Sequence, residues 1–424
     1  MSENAETGPD VAKAPEGSKP GPYVASVQIY DLFREMIEKR ASDLHLKVTR
    51  PPLMRVDGEL VPTDHPVLTV DDVRHLIFSL LTDREIAKFE RDCELDTART
   101  YEDKARFRIN VFYQRGMIGA VMRLIPISIP TVEKLGLPPV LNDLALRNQG
   151  LILFTGPTGC GKSTSMAAMI HHINRHQHRH IVTVEDPIEF VHTDELATIN
   201  QRELGVDTMT MPEALKRVLR QDPDVILIGE MRDAETMETA MRAAETGHLV
   251  FSTLHTNDSK QTMDRILESF EGNHQKQIRT LLSLTLLAVL SQRLLPRADG
   301  KGRVAALEIL INSPQLSKLI EKGSTHELEE AISKSGNYWH MQTFNQALAE
   351  LVKQGLITPV TALEHSTNPG DLRLALRGVG IGSAEIDHLA EKLDAESLET
   401  VAAPGEGDEP PRVKPKPPGR GFSF

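Results

Sequence analysis

The apolar run LILF at 151–154 leads almost at once into GPTGCGKST at 156–164, and no other stretch limits the fold so tightly. The second part fits G-x-x-x-x-G-K-[ST], a loop whose glycines let backbone N–H groups surround nucleotide phosphates. Such a loop connects a buried strand to a helix, so this pair of elements predicts an α/β sheet. Gly156, Thr158, Gly159, Cys160, Gly161, Lys162, Ser163 and Thr164 are the candidate ATP-binding residues. Lys162 is placed to reach the β- and γ-phosphates, and Ser163 to offer a hydroxyl to Mg²⁺. The helix is expected to start at Ser163 and to point its positive end at the same anion.

Further short apolar runs support the sheet: HIVTV at 180–184, VILIG at 225–229 and LVFSTL at 249–254, separated by helical segments. Unalternating strands of this kind belong in a parallel sheet covered on both faces. Ligands of such sheets sit beyond the carboxyl ends of the strands. There the three runs deliver Glu185, Asp186 and Glu189, then Glu230, then His255. Glu230 follows a strand and a glycine, the place for a catalytic base that orients the attacking water. The stretch EDPIE offers three carboxylates; Glu189 is a candidate catalytic residue, and geometry has to choose among them. His255 is the candidate γ-phosphate sensor. His248 stands about 23 Å away along an extended strand and suits packing or a subunit contact instead. Cys160, close to a helix N-terminus, could have a lowered thiol pKa, although a small residue that simply fits is the simpler reading. The stretch HHINRHQHRH at 171–180 reads as a solvated helix end rather than a metal site.

Upstream, residues 26–42 space Val27, Ile29, Leu32, Phe33, Met36 and Ile37 as an amphipathic helix. DLHLKV alternates, Asp57-Gly58 marks a short hairpin, and RFRINVFYQRGMIGAVMRLIP reads as a second strand pair. The expected division is an arm at 1–22, a small α+β domain at 23–126, a linker and domain start at 127–150, an ATPase core at 151–295, a helical region at 296–380 and a mostly flexible tail at 381–424. LLSLTLLAVL at 281–290 is half the roughly 20 residues that span a bilayer and reads as a buried helix. Ser324 with Glu327 has capping-box spacing, and Thr358 with Pro359 has the pattern of a capped helix start.

Composition narrows the function. A net charge of −12 and a pI near 5.8 argue against direct nucleic-acid binding. Two cysteines, Cys93 and Cys160, build neither a disulfide framework nor a four-cysteine zinc site. The N-terminus has no apolar run after a positive start, so it does not read as a secretory signal.

GPTGCGKST, VTVEDPIEF, INQRELG, RQDPDVILIGEMRDAET and AAETGHLVFSTLHTND, in this order, resemble the Walker A, Asp box, Walker B and His box of the secretion ATPases of type II secretion and type IV pili. ASDLHL, RVDGEL and RFRINVF extend the resemblance over about 25–378. Within the superfamily the chain resembles the PilT/PilU retraction branch, because assembly motors usually carry a four-cysteine zinc element. The resemblance implies an α/β protein with a RecA-like P-loop ATPase core, an N-terminal PAS-like α+β domain and a helical C-terminal region. It implies a cytoplasmic homo-hexamer, peripherally associated with the inner membrane, that uses ATP and Mg²⁺ for pilus retraction and twitching motility. Arg108 and Arg123 match the family's arginines that reach the phosphates from the N-terminal domain. The expected partners are a PilT-like retraction ATPase and an inner-membrane pilus platform protein. Where PilT carries A-I-R-N-L-I-R-E, this chain reads QLSKLIEK at 315–322, which points to the PilU side of the branch.

Overall fold

The computed structural model describes residues 27–378 apart from 57, 103, 104 and 127, so the expectations for the arm at 1–22 and the tail at 381–424 lie outside the described residues. Two sheets organise the chain. The first is antiparallel, built from β1 (Asp43–Leu46), β2 (Leu53–Val56), β3 (Glu59–Pro62), β4 (Glu94–Tyr101), β5 (Ala105–Gln114) and β6 (Met117–Pro126) in the order β3-β2-β1-β6-β5-β4. Along β5 the side chains alternate: Ala105, Phe107, Ile109 and Val111 are buried, while Arg106, Arg108 and Asn110 face the other way. The buried face is covered by helix Ile29–Glu38, whose Phe33 ring stacks on Phe107 with centroids 3.8 Å apart. Helices Val70–Phe78 and Asp83–Asp92 complete that layer, each begun by a capping box, from Thr69 with Asp72 and from Thr82 with Glu85. The amphipathic helix, the hairpin β2–β3 and the pair β5–β6 are where the sequence placed them.

The second sheet holds β7 (Gly150–Thr155), β8 (His180–Glu185), β9 (Thr198–Glu203), β10 (Val225–Ile228), β11 (Leu249–Leu254), β12 (Leu286–Pro296) and β13 (Arg303–Ile311), in the order β13-β12-β7-β11-β10-β8-β9. Only β13 runs against its neighbour. Both faces are buried. Leu151 and Leu153 of β7 pack with helices Met211–Val218, Ala234–Glu245 and Ser259–Glu268, while Ile152 and Phe154 pack with helices Val140–Ala145 and Lys162–His176. This is the doubly covered parallel sheet that the unalternating runs required.

Three expectations are corrected. The run at 281–290 is not one buried helix: helix Gly272–Thr285 ends inside it and β12 begins at Leu286. A short apolar run with both faces buried has no period by which strand and helix differ, and here pairing with β7 and β13 decides. For the same reason the region beyond 295 is not helical from its start, because β13 comes first. Ser324 makes no side-chain cap; a 3₁₀ turn at Thr325–Glu327 precedes helix Leu328–Lys334, and Thr325 Oγ1 donates to Asp264 at 2.8 Å. The cap at Thr358, with Pro359 at the first helical position, is present. Among the described residues no helix is long and apolar enough to cross a membrane.

One carboxyl ties β13 to the helices. Glu308 is buried and its Oε1 accepts the backbone N–H of Ser259, 2.7 Å away at the start of helix Ser259–Glu268. Burial, with Asp258 and Glu329 adding like charge, pushes its pKa from 4.5 up to about 7. The folded chain therefore holds this proton in a pH range where the unfolded chain has released it. Stability contributed here is present below pH 4.5 and is lost as the pH rises towards 7, by on the order of 3 kcal/mol. Glu308→Gln keeps the acceptor oxygen and removes the titration. Chemical denaturation at pH 5 and pH 8 is expected to show a smaller loss between the two for the variant than for the parent.

Candidate functional site

The backbone of β7 ends at Thr155 and turns through the glycine-rich loop into helix Lys162–His176, which starts one residue before the expected Ser163. Gly156, Gly159 and Gly161 have φ values of +137°, +77° and +89°, a region costly for side-chain-bearing residues. At Gly156 space is lacking as well: a Cβ would lie 2.3 Å from the carbonyl oxygen of Gln292 and 2.7 Å from Cys160 Sγ. At Gly159 nothing lies within 4 Å, so only the backbone angle demands glycine there. Lys162 is buried and its ammonium donates to the carbonyls of Gly156 at 2.7 Å and Pro157 at 3.1 Å. Cys160 is buried too, and burial pushes its thiol pKa up, overriding the nearby Lys162 charge. A thiol activated at the helix N-terminus is thereby set aside; the residue fits as a small apolar filler.

A cavity of 560 Å³ opens over this loop, and Lys162, Ser163, Glu185, Glu189, Glu230 and His255 all line it. Thr158, Gly159, Gly161 and Thr164 line it as well. The three strand ends thus converge as the sheet topology requires. Glu230 stands between two basic side chains: its Oε1 lies 3.4 Å from His255 Nε2 and its Oε2 accepts from Arg232 Nε at 2.8 Å. Arg232 also stands 3.8 Å from Asp186. Glu185 is held by its own sheet, accepting from Thr183 Oγ1 at 2.6 Å and Gln201 Nε2 at 3.2 Å, and burial raises its pKa. Glu189 is exposed at the rim of the cavity. The geometry separates the carboxylates of EDPIE: Glu185 is engaged with β8 and β9, Asp186 faces Arg232, and Glu189 is open towards a ligand.

Arg108 and Arg123 are not among the residues that line this cavity. They are direct neighbours across β5 and β6, both exposed. Arg123 Nε donates to Asp43 Oδ1 at 2.8 Å. Arg108 borders a second cleft of 410 Å³ beside Asp186, Ile188 and Glu203. His248 Nδ1 donates to the carbonyl of Ala243 at 2.9 Å, a packing contact at the end of its own helix turn. In the histidine-rich stretch the helix ends at His176, as read from the sequence, with the rings of His172 and His176 stacked 4.1 Å apart.

Residues not singled out from the sequence hold the site in shape. Arg106 Nη2 donates to Glu203 Oε2 at 3.1 Å, and the same oxygen accepts the backbone N–H of Ile188 at 3.3 Å, so the first sheet grips the loop that carries Glu189. Arg232 and Gln201 belong to the same group. Their sequence signal was membership of the quoted motifs, Arg106 in RFRINVF, Gln201 and Glu203 in INQRELG and Arg232 in RQDPDVILIGEMRDAET, but a polar residue near a strand end has no periodicity that assigns it a partner.

Proteins that present a phosphate loop to acidic strand ends in this way are P-loop nucleoside triphosphatases, and this chain falls in that class. Residues 23–318 match the type II/IV secretion system protein family, and the chain belongs to it. It is 42% identical over 369 residues to the type IV pilus ATPase PilU of Pseudomonas aeruginosa, covering 87% of this chain and 96% of that one. It is 42% identical over 343 residues to PilT of the same organism, a type IV pilus retraction ATPase, covering 81% and 99%. A crystal structure of the pilus retraction motor PilT with bound ADP superposes with a TM-score of 0.76 at 45% identity, covering 81% of this chain and 98% of that chain.

The two glycines at 156 and 159 should differ in tolerance. Gly156→Ala drives a methyl group into a backbone oxygen and is expected to abolish binding of a fluorescent ADP analogue. Gly159→Ala meets only the backbone-angle penalty, about 1–2 kcal/mol, and is expected to retain measurable binding in the same titration.

Proposed function

We propose that this chain is a PilU-like ATPase that powers type IV pilus retraction together with a PilT-like motor. The observation that carries the reading is the convergence of Lys162, Glu230 and His255 on one cavity over the phosphate loop, in a chain with PilU and PilT as relatives over most of its length.

In this reading ATP lies with its phosphates against residues 156–164. Lys162 neutralises the β- and γ-phosphates, and Glu230 orients the attacking water and takes its proton. His255 acts as the γ-phosphate sensor, a role supported by its Nε2 lying 3.4 Å from Glu230 Oε1 on the same cavity. Hard oxygen donors suit Mg²⁺, and the Ser163 hydroxyl on the cavity wall would hold it, while Glu189, open on the same cavity, is a second catalytic carboxylate. When bound, the ion neutralises phosphate charge. Arg108 and Arg123 act on a neighbouring subunit's nucleotide in a homo-hexamer; that neither lines the cavity over its own chain's phosphate loop supports this. That sheet with its helices, 23–126, is a PAS-like domain, 127–150 the linker and domain start, 151–295 a RecA-like core and 296–380 the C-terminal region. ATP can drive motion between them only through different affinities for open and closed states. The protein acts in the cytoplasm against an inner-membrane pilus platform protein, with no nucleic acid involved.

A second reading, a regulatory ring that supports the main motor, is favoured by one feature. In helix Pro314–Lys322 the buried Leu316 and Ile320 keep the packing, while Ser317 and Glu321 stand where the PilT motif has its two arginines. Glu230→Gln tests both. As a motor the assembled protein is expected to lose about 10²–10⁴ in ATP turnover, and cells carrying the variant should lose retraction force to the same degree as cells lacking the protein. A supporting ring would lose turnover and keep the force. Retention of full turnover by both Glu230→Gln and Lys162→Ala would remove the catalytic assignment.

A further inference from the structure

Beneath the phosphate loop lies a buried amide that the motifs do not include. Gln292, on β12, is 2% exposed, and it touches the loop along its whole length. Its Nε2 donates to the carbonyl of Cys160 at 2.7 Å, and its Oε1 accepts from Ser165 Oγ at 2.8 Å, in the first turn of the following helix. Its own carbonyl is the atom that a Cβ at Gly156 would strike, and its Nε2 lies 2.8 Å from where a Cβ at Gly161 would stand. One residue earlier, Ser291 Oγ accepts from Thr155 Oγ1 at 2.9 Å, where β7 and β12 are in register.

A trans peptide is planar, with its C=O and N–H pointing in opposite directions. The Cys160 carbonyl is drawn towards β12, so the N–H of Gly161 in the same peptide is turned away from β12, towards the phosphate side of the loop. A primary amide is the side chain that can do this while also receiving a hydroxyl, because it carries both a donor and an acceptor. The strand end is itself fixed: Arg293 Nη1 donates to the carbonyl of His365 at 2.6 Å, and its guanidinium lies 4.3 Å from the centre of the Phe344 ring.

We propose that Gln292 is a positioning residue for phosphate binding, setting the direction of the Gly161 N–H through the Cys160 carbonyl. It acts on nucleotide affinity and leaves the chemical step alone. The inference rests on the ATP-binding reading, and the parent protein serves as its control: absence of ATP binding there sinks that reading, whereas altered behaviour only in the variants speaks to Gln292. Gln292→Met removes donor and acceptor at similar volume, Gln292→Leu removes both without a polar atom or a charge, and Ser165→Ala removes only the hydroxyl partner. In the full-length protein, with assembly state and thermal midpoint matched to the parent, Gln292→Met and Gln292→Leu are expected to raise the Kd for a fluorescent ADP analogue and the KM for ATP about tenfold or more. Their kcat should stay within about twofold of the parent. Ser165→Ala should raise both constants by a smaller factor, and its effect should not add to that of Gln292→Met. Unchanged KM and Kd in the Gln292 variants would overturn the proposal, as would a fall in kcat at constant KM. Should Gln292→Met fail to assemble, the Gln292→Leu measurement decides alone.

Discussion

The level ends of the parallel strands are the constraint on which the rest depends. In the second sheet Thr155 of β7 pairs with Leu254 of β11 and with Ser291 of β12, while Ile228 of β10 pairs with Ser252 of β11 and with Val184 of β8. Four strands, β7, β8, β10 and β11, therefore end within about two residues of one another along one edge, while β12 runs on past Ser291 to Pro296. The group that each strand carries just past that edge, a glycine loop, a carboxylate or a histidine, arrives in the same small volume without any special device. Apolar burial on both faces fixes this alignment, since a slip of one residue would exchange the two buried sets. The site's precision is thus inherited from packing far beneath it.

Much of this was legible in the sequence, and the limits have physical reasons. The loop at 156–164 could be read because its glycines serve a backbone shape that few other residues adopt, and Glu230 and His255 could be read because each directly follows an apolar strand. β9 was not separated as a strand: Thr198, Asn200, Gln201 and Arg202 give it a polar edge, and its membership depends on pairing with β8. β12 and β13 were read as helical because buried runs without alternation carry no period. Ser324 and Glu327 had the spacing of a cap, but a tighter turn intervened and Thr325 found a partner in Asp264. The roles of Gln292 and of Glu203, although the latter lies in INQRELG, could not be read because their partners are 127 and 97 positions away in the chain.

The charged groups divide the molecule into two kinds of surface. Around the phosphate loop Glu185, Asp186, Glu189 and Glu230 gather on one cavity, and Arg232 stands against Glu230 and Asp186. On the open face of the antiparallel sheet, Arg123 pairs with Asp43 through its Nε, and Arg55 approaches the same carboxylate at 3.8 Å. A guanidinium held by Nε has its terminal nitrogens pointing outwards, the part that forks around an oxyanion. The buried Asp43 thereby gives the motif ASDLHL a structural reason.

Glu203 has a mechanical meaning beyond its place in the site. It is buried, and its one oxygen serves both the guanidinium of Arg106 and the amide of Ile188. Swinging the antiparallel sheet away would strand a desolvated charge with half of its partners, a state that proteins avoid at a cost of several kcal/mol. The tilt of that sheet and the shape of the loop bearing Glu189 are consequently geared to each other. The sheet and the loop hang on one shared oxygen, as a lever and its pawl share a pin.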